Sequence, residues 1–314
     1  MKTLSQLAPW DRVEVAPETT EPIEPIEPGV LPFAIAGGRV CGTEHRRTGR
    51  PCQDAYAWQR STHGLVAVVC DGCGSGRHSE VGATLGARLL AATLLRAIED
   101  RALGARASVA EDWMTVFIGE LWPVVRAEVV AHLRALANAM SGSLPQVVVD
   151  HFLFTAVGAV VTPAVTLVFS LGDGVYGLDR HVREIGPYPD NRPPYLGYDL
   201  LDGAPVHGID VHACVATDEL TSVLLATDGA LPLMPAAARE ALLLPGSERP
   251  AGDLLQFAEP RFVANGDAIR RRLWQMNRER RDIDWQAARV QVARGLLLDD
   301  TAVVSIQRVH GVRS

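Results

Sequence analysis

Residues 64–80 read GLVAVVCDGCGSGRHSE, and the way this stretch changes period decides the fold. A run rich in β-branched residues ends on a carboxylate, Asp71. Three glycines follow within five residues, Gly72, Gly74 and Gly76. Gly72 has no side chain, so its carbonyl can approach a cation closely, while Gly74 and Gly76 permit a sharp reversal. From Ser79 the apolar period lengthens from that of a strand to that of a helix. Val81, Leu85 and Leu89 share one predicted helical face, filled in by Ala83, Ala87 and Ala91, and the helix is expected to run to about Arg101. Ser79 suits its start, because a serine hydroxyl accepts from an exposed first-turn amide.

Working outward, DAYAWQR (54–60) and GLVAVVC (64–70) flank a short STHG turn, so a hairpin is expected, and FAIAGGRVCG (33–42) reads as the first strand. Residues 109–140 carry a second long amphipathic helix or a broken pair, with Pro123 at its kink or start. HFLFTAVGAVV (151–161) and AVTLVFSLG (164–172) form two strands around Thr162–Pro163, and VYGLDR with HVREIG gives another hairpin. Residues 187–210 are loop-rich with five prolines and are a candidate substrate-facing flap. SVLLATDGA (222–230) is a buried strand, 250–295 are expected to be mostly helical, and LLLDDTAVVSIQRV (296–309) closes the chain as a strand. Trp113, Trp122, Trp274 and Trp285 fall in helix-like segments and are expected to pack between elements. Short turns between neighbouring strands imply mainly antiparallel sheets covered by helices, an α+β fold.

The 314 residues suffice for a substantial core. The net charge of −7 and the lack of a basic stripe argue against nucleic acid as a partner. No apolar run reaches the ~20 residues of a membrane span, and the N-terminus lacks the apolar centre of a secretory signal. A cytoplasmic protein is therefore expected, without a membrane partner. Residues 1–32 form a Pro/Glu-rich leader in which proline removes amide donors and opposes helix. The folded domain is expected over 33–310.

One pattern recurs. Apolar strands end on, or begin after, aspartates beside small residues: Asp54 in CQDAYAW, Asp71, Asp173 in SLGDGVYG, Asp228 in LLATDGA, and the pair Asp299–Asp300 in LLLDDTAVV. A single Asp-Gly is a turn signal. Five such places, each against a β-like run, point to strand ends that converge on one acidic cleft. Gathered carboxylates repel one another and resist desolvation. Divalent cations with oxygen shells, Mg²⁺ or Mn²⁺, are the natural compensation.

On QDA (53–55), DGCGSG (71–76), GDG (172–174), ATDGA (226–230) and DDTAVV (299–304), in this order, the chain resembles metal-dependent protein phosphatases of the 2C type, the PPM family. The resemblance covers about residues 34–308. It implies a four-layer α-β-β-α sandwich of two antiparallel sheets with a binuclear Mg²⁺/Mn²⁺ site at one end. By motif matching it assigns Asp54, Asp71, Gly72, Asp228 and Asp299 to the core metal shell, with Asp71 bridging and Gly72 using its carbonyl. Asp173 is similar to the position that helps hold a more labile third ion in bacterial members. The implied reaction is phosphomonoester hydrolysis on phosphoserine and phosphothreonine proteins, by in-line attack of a metal-bridging water. A phosphoprotein substrate and a cognate Ser/Thr kinase are the implied partners.

The chain departs from the family pattern in places. Family members carry a phosphate-binding arginine shortly before the QDA-type aspartate, and Arg50 is the candidate here. Cys73 follows Asp71–Gly72 where some eukaryotic members have a histidine proposed as proton donor. The general acid is thus open, with His45 a candidate. Thr301 follows the Asp pair directly, leaving open which of Asp299 and Asp300 is the ligand, with Asp299 favoured. Two rival readings stand beside the phosphatase. One is a zinc or redox site of Cys41, Cys52, Cys70 and Cys73. The other is a non-catalytic binding or regulatory module on the same fold.

Overall fold

The structure is a computed structural model. It describes residues 31–309 except 105–112, 202, 204–207, 235–242, 248–249 and 287. Most of the Pro/Glu-rich leader, residues 1–30, lies outside the described residues.

Two five-stranded antiparallel sheets stack face to face. One has the order β1-β12-β9-β6-β7, built from β1 (Phe33–Val40), β6 (Gly174–Leu178), β7 (His181–Ile185), β9 (Ser222–Ala226) and β12 (Thr301–Arg308). The other has the order β2-β3-β4-β5-β8, from β2 (Ala55–Arg60), β3 (Leu65–Gly72), β4 (Phe154–Val161), β5 (Val165–Leu171) and β8 (Asp210–Ala216). Between them lies an apolar layer that includes Phe33, Val69, Val157, Val168, Leu225 and Ile306. The strand alternation explains this layering. In β5, Val168 points to the sister sheet while Leu167 and Phe169 point outward to the helices.

The helices are α1 (Thr43–Thr48), α2 (Ser79–Gly104), α3 (Trp113–Val116), α4 (Trp122–Ala139), α5 (Leu144–Val147) and α6 (Ala268–Met276). Helices α2 and α4 cover the second sheet, while α6 and short 3₁₀ turns cover the first. This is the expected four-layer α-β-β-α sandwich. The helical stretch from α3 to α4 runs without a break in helical backbone through a π-helical turn at Phe117–Leu121 just before Pro123, whose ring removes one amide from the ladder at that point.

The face that α2 buries matches the expectation at Ala83, Ala87 and Ala91 and differs from it at the larger residues. Ala83, Ala87, Leu90, Ala91, Leu94 and Ile98 are buried, whereas Val81, Leu85 and Leu89 are only half-buried. Small residues win because the helix lies very close to the sheet: a Cβ on Gly86 would overlap the Phe154 ring. Residues 79–101 are long and apolar enough to cross a membrane, but more than half of that stretch is buried inside the molecule.

Three expectations are corrected. Strand β8 was missed because it is an edge strand whose exposure alternates only weakly. The segment 278–295 is a hairpin, not helix: β10 (Arg280–Asp284) pairs with β11 (Arg289–Ala293) as a separate two-stranded sheet. Asn277 ends α6, and DID and RVQV then impose a two-residue period. Finally, Trp122 is buried but Trp274 and Trp285 are not: they are 50% and 83% exposed.

Candidate metal centre

The topology brings the acidic motifs to one end of the sandwich. Asp54 immediately precedes β2, and Asp71 is the next-to-last residue of β3; Ala55 pairs with Cys70, so the two aspartates sit side by side at that edge. In the first sheet Asp173 precedes β6, Asp228 follows β9 and Asp299 precedes β12. Ala226 pairs with both Val175 and Val303, which sets these three at a common end.

The electrostatics follow from this convergence. Burial pushes the Asp54 carboxyl well above the ordinary carboxylate range, and the Asp300 and Asp228 charges add to it. Burial also raises Asp71, reinforced by Asp54, Asp228 and Asp299. Asp228 is pushed up to about 6, by burial first and then by Asp173 and Asp299. Burial raises Asp173 as well. Asp54 and Asp71 lie within hydrogen-bond reach of each other. Thr227 donates its hydroxyl to Asp54 Oδ2 at 2.5 Å, while the buried Asp54 Oδ1 has no partner among the described residues. A sealed carboxylate oxygen beside a second carboxylate is a donor set suited to a hard divalent cation. The Gly72 carbonyl lies on the same strand end, and a Cβ at this residue would strike the Gln53 and Ser79 carbonyls.

Asp299 and Asp300 have different surroundings. Asp300 is 2% exposed and takes the Gly42 amide on Oδ1 at 2.6 Å and the Gln53 amide on Oδ2 at 2.5 Å. His45 Nδ1 is 2.7 Å from the same Oδ2. Asp299 is exposed at the cleft and adds its charge to Asp71 and Asp228. Ligand atoms of His45, Asp299 and Asp300 lie within 4.8 Å of one another, but Asp300 is already filled by backbone amides.

Arg50 lies across the glycine loop. One of its terminal nitrogens donates to the carbonyls of Gly74 and Gly76 at 2.7 and 2.9 Å. Arg39, which the sequence did not single out, donates to the Asp54 carbonyl at 2.7 Å. Thr227 was also missed, although it stands directly before Asp228 in ATDG.

The cysteines do not form a thiolate cage. All five are free, and among the described residues no metal-like group includes a cysteine. Burial drives the Cys70 and Cys52 thiols well up, and burial with the Asp300 charge puts Cys41 at about 12.

A sequence model of the family described as Protein phosphatase 2C matches residues 41–266. No curated protein matches the chain. Among solved structures, a serine-threonine phosphatase 2C from Toxoplasma gondii is similar in fold, with a TM-score of 0.52 at 14% identity, over 88% of this chain and 97% of that one. The serine/threonine phosphatase Stp1 from Staphylococcus aureus aligns with a TM-score of 0.48 at 13% identity, over 92% of this chain and all of that one.

Proposed function

The chain belongs to the protein phosphatase 2C family, and from that premise we propose that it is a metal-dependent phosphatase of phosphoserine and phosphothreonine proteins. One observation carries the reading: carboxylates from four separate segments share one end of the sandwich, with Asp54 Oδ1 sealed and unpartnered. A chain does not gather such charge without something to neutralise it.

Asp54, Asp71, Asp228 and Asp299, with the Gly72 carbonyl, would hold two Mg²⁺ or Mn²⁺ ions, and Asp173, beside Asp228, would help hold a third. Such ions, when bound, supply Lewis acidity at the phosphoryl oxygens and an acidified water. The chain's own groups supply positioning and the proton. The Arg50 guanidinium is braced on the Gly74 and Gly76 carbonyls, and its remaining N–H groups have no partner among the described residues, so they can grip phosphoryl oxygens. His45 is oriented through Nδ1 by Asp300, which leaves Nε2 as the ring atom that would give a proton to the departing serine or threonine oxygen. Asp300 thus acts as a positioning residue.

The test is Mn²⁺-dependent hydrolysis of p-nitrophenyl phosphate and of a phosphothreonine peptide. Wild type should turn over both. Asp71→Asn and Asp228→Asn should each lose at least about 100-fold, in line with the loss of one preorganised charge-stabilising group. Well-folded wild-type protein that turns over neither substrate with any divalent ion would instead identify a non-catalytic binding module.

A further inference from the structure

Asn277 supplies no ligand to the metal centre, yet the segments that carry Asp299, Asp300 and His45 are tied to it. The residue ends α6, whose Ile269, Leu273 and Met276 are buried in the layer that covers the first sheet, and its amide bonds to the Leu273 carbonyl at 3.0 Å. The sequence marks it only as a helix end between RRRLWQM and RERR. Closing a helix calls for groups that satisfy its own last carbonyls. Here the side chain is wholly buried and its bonds leave the helix altogether. Nδ2 donates to the Cys41 carbonyl at 2.8 Å, and Oδ1 accepts from the Leu297 amide at 3.2 Å. The Asn277 carbonyl accepts from the Arg46 guanidinium.

Each partner leads to a site residue. Cys41 precedes Gly42, whose amide Asp300 accepts, and then α1, which carries His45 and Arg46. Leu297 stands two residues before Asp299. The two segments are pressed together. The Thr43 and Glu44 amides bond to the Leu297 and Leu298 carbonyls, each at 3.1 Å, and a Cβ on Gly42 would strike the backbone of Leu298 and Asp299. Asn277 therefore holds α1 ahead of its first turn and in its last, and holds the approach to Asp299 from the same point. The chain returning from the β10–β11 hairpin is packed there too: a Cβ on Gly295 would fall 2.2 Å from Asn277 Oδ1. We propose that Asn277 is a positioning residue, which sets Asp299 for the proposed cations and keeps the Asp300–His45 pair in place beside it; this rests on the phosphatase reading of the site. Partners one bond removed from a metal's ligands affect metal affinity or activity by about 10–100-fold.

A merely structural role would use the same bonds, so the control is a second buried amide with the same kind of partners. Gln307 Nε2 donates to the Phe257 and Glu259 carbonyls, each at 3.0 Å. It lies near the other end of β12, about 20 Å from Thr301 at ~3.4 Å per residue. Removing either amide strands buried backbone groups, but only those of Asn277 stand beside the metal centre.

The test compares full-length wild type, Asn277→Ala and Gln307→Ala at a temperature where all are folded. In metal-free protein the Thr43 and Glu44 amides, and the Gly42 and Gln53 amides that Asp300 accepts, should exchange about tenfold faster in Asn277→Ala, the order of one lost buried hydrogen bond. Its Mn²⁺ dissociation constant should rise at least about tenfold. Gln307→Ala should leave both readouts unchanged, although it too melts below wild type. If Asn277→Ala does not fold, Arg46→Ala removes one tether at an exposed residue and should speed exchange at Thr43 and Glu44 by about threefold; no change there would overturn the proposal. So would equal shifts in Asn277→Ala and Gln307→Ala, or wild-type Mn²⁺ affinity in Asn277→Ala. Wild type that binds no Mn²⁺ would overturn the reading of the site itself, and the role of Asn277 with it.

Discussion

Asp299 and Asp300 are chemically identical neighbours with opposite duties, and only their surroundings separate them. Asp300 closes two backbone amides and orients His45; Asp299 is exposed at the cleft, takes the Asp300 amide on Oδ1 at 2.8 Å and adds its charge to Asp71. Sequence favoured Asp299 but could not decide between them, because the deciding groups are amides of Gly42 and Gln53, some 250 positions away in the chain. Thermal unfolding of two variants separates the roles. Asp300→Ala strands two buried amides at about 1–3 kcal/mol each and should unfold well below wild type. Asp299→Asn removes like-charge repulsion and should keep or raise the melting temperature of the metal-free protein while weakening Mn²⁺ binding. If both variants unfold alike, the assignment of roles is wrong. The positions of Asp54, Asp71 and Asp228 were legible from strand-end Asp motifs, whereas Thr227 and Arg39 were not, since a hydroxyl and a guanidinium beside a carboxylate leave no periodic trace.

The elements show where periodicity suffices and where it fails. Strands β1 to β7, β9 and β12 were read from apolar runs and turn residues, most because they are long or well buried, and the exposed edge strand β7 because a tight turn ties it to β6. Edge strand β8 and the β10–β11 hairpin escaped, since their alternation is written against solvent and the arginine-rich approach through α6 resembles a helix continuing. The face of α2 was misread at its larger residues for a related reason: close packing favours small side chains over large ones. Gly86 tests that closeness. Alanine there gains about 1 kcal/mol of helix propensity, but its Cβ would overlap the fully buried Phe154 ring, and overpacking of this kind costs about 1–3 kcal/mol. The clash should win, so Gly86→Ala should have a lower denaturant midpoint at unchanged slope. A higher midpoint would mean that α2 lies farther from the sheet.

At the scale of the molecule, two sheets are stacked so that aspartates from distant segments meet at one end, and the fold carries a charge conflict there that the proposed cations would relieve. The sign of the linkage is fixed by the raised carboxyls. Asp54, Asp71 and Asp228 all hold protons more tightly when folded than when unfolded. Stability from these groups is therefore fully present below the unfolded carboxylate range and is lost as pH rises through their folded values, near 6 for Asp228. The most direct test is thermal unfolding of the metal-free protein from about pH 5 to about pH 7.5, with and without Mn²⁺. The melting temperature should fall across that window in the metal-free protein, and Mn²⁺ should abolish the fall in wild type but not in Asp71→Asn. A melting temperature that stays level with pH and ignores Mn²⁺ would contradict a shared cation site at the end of the sandwich.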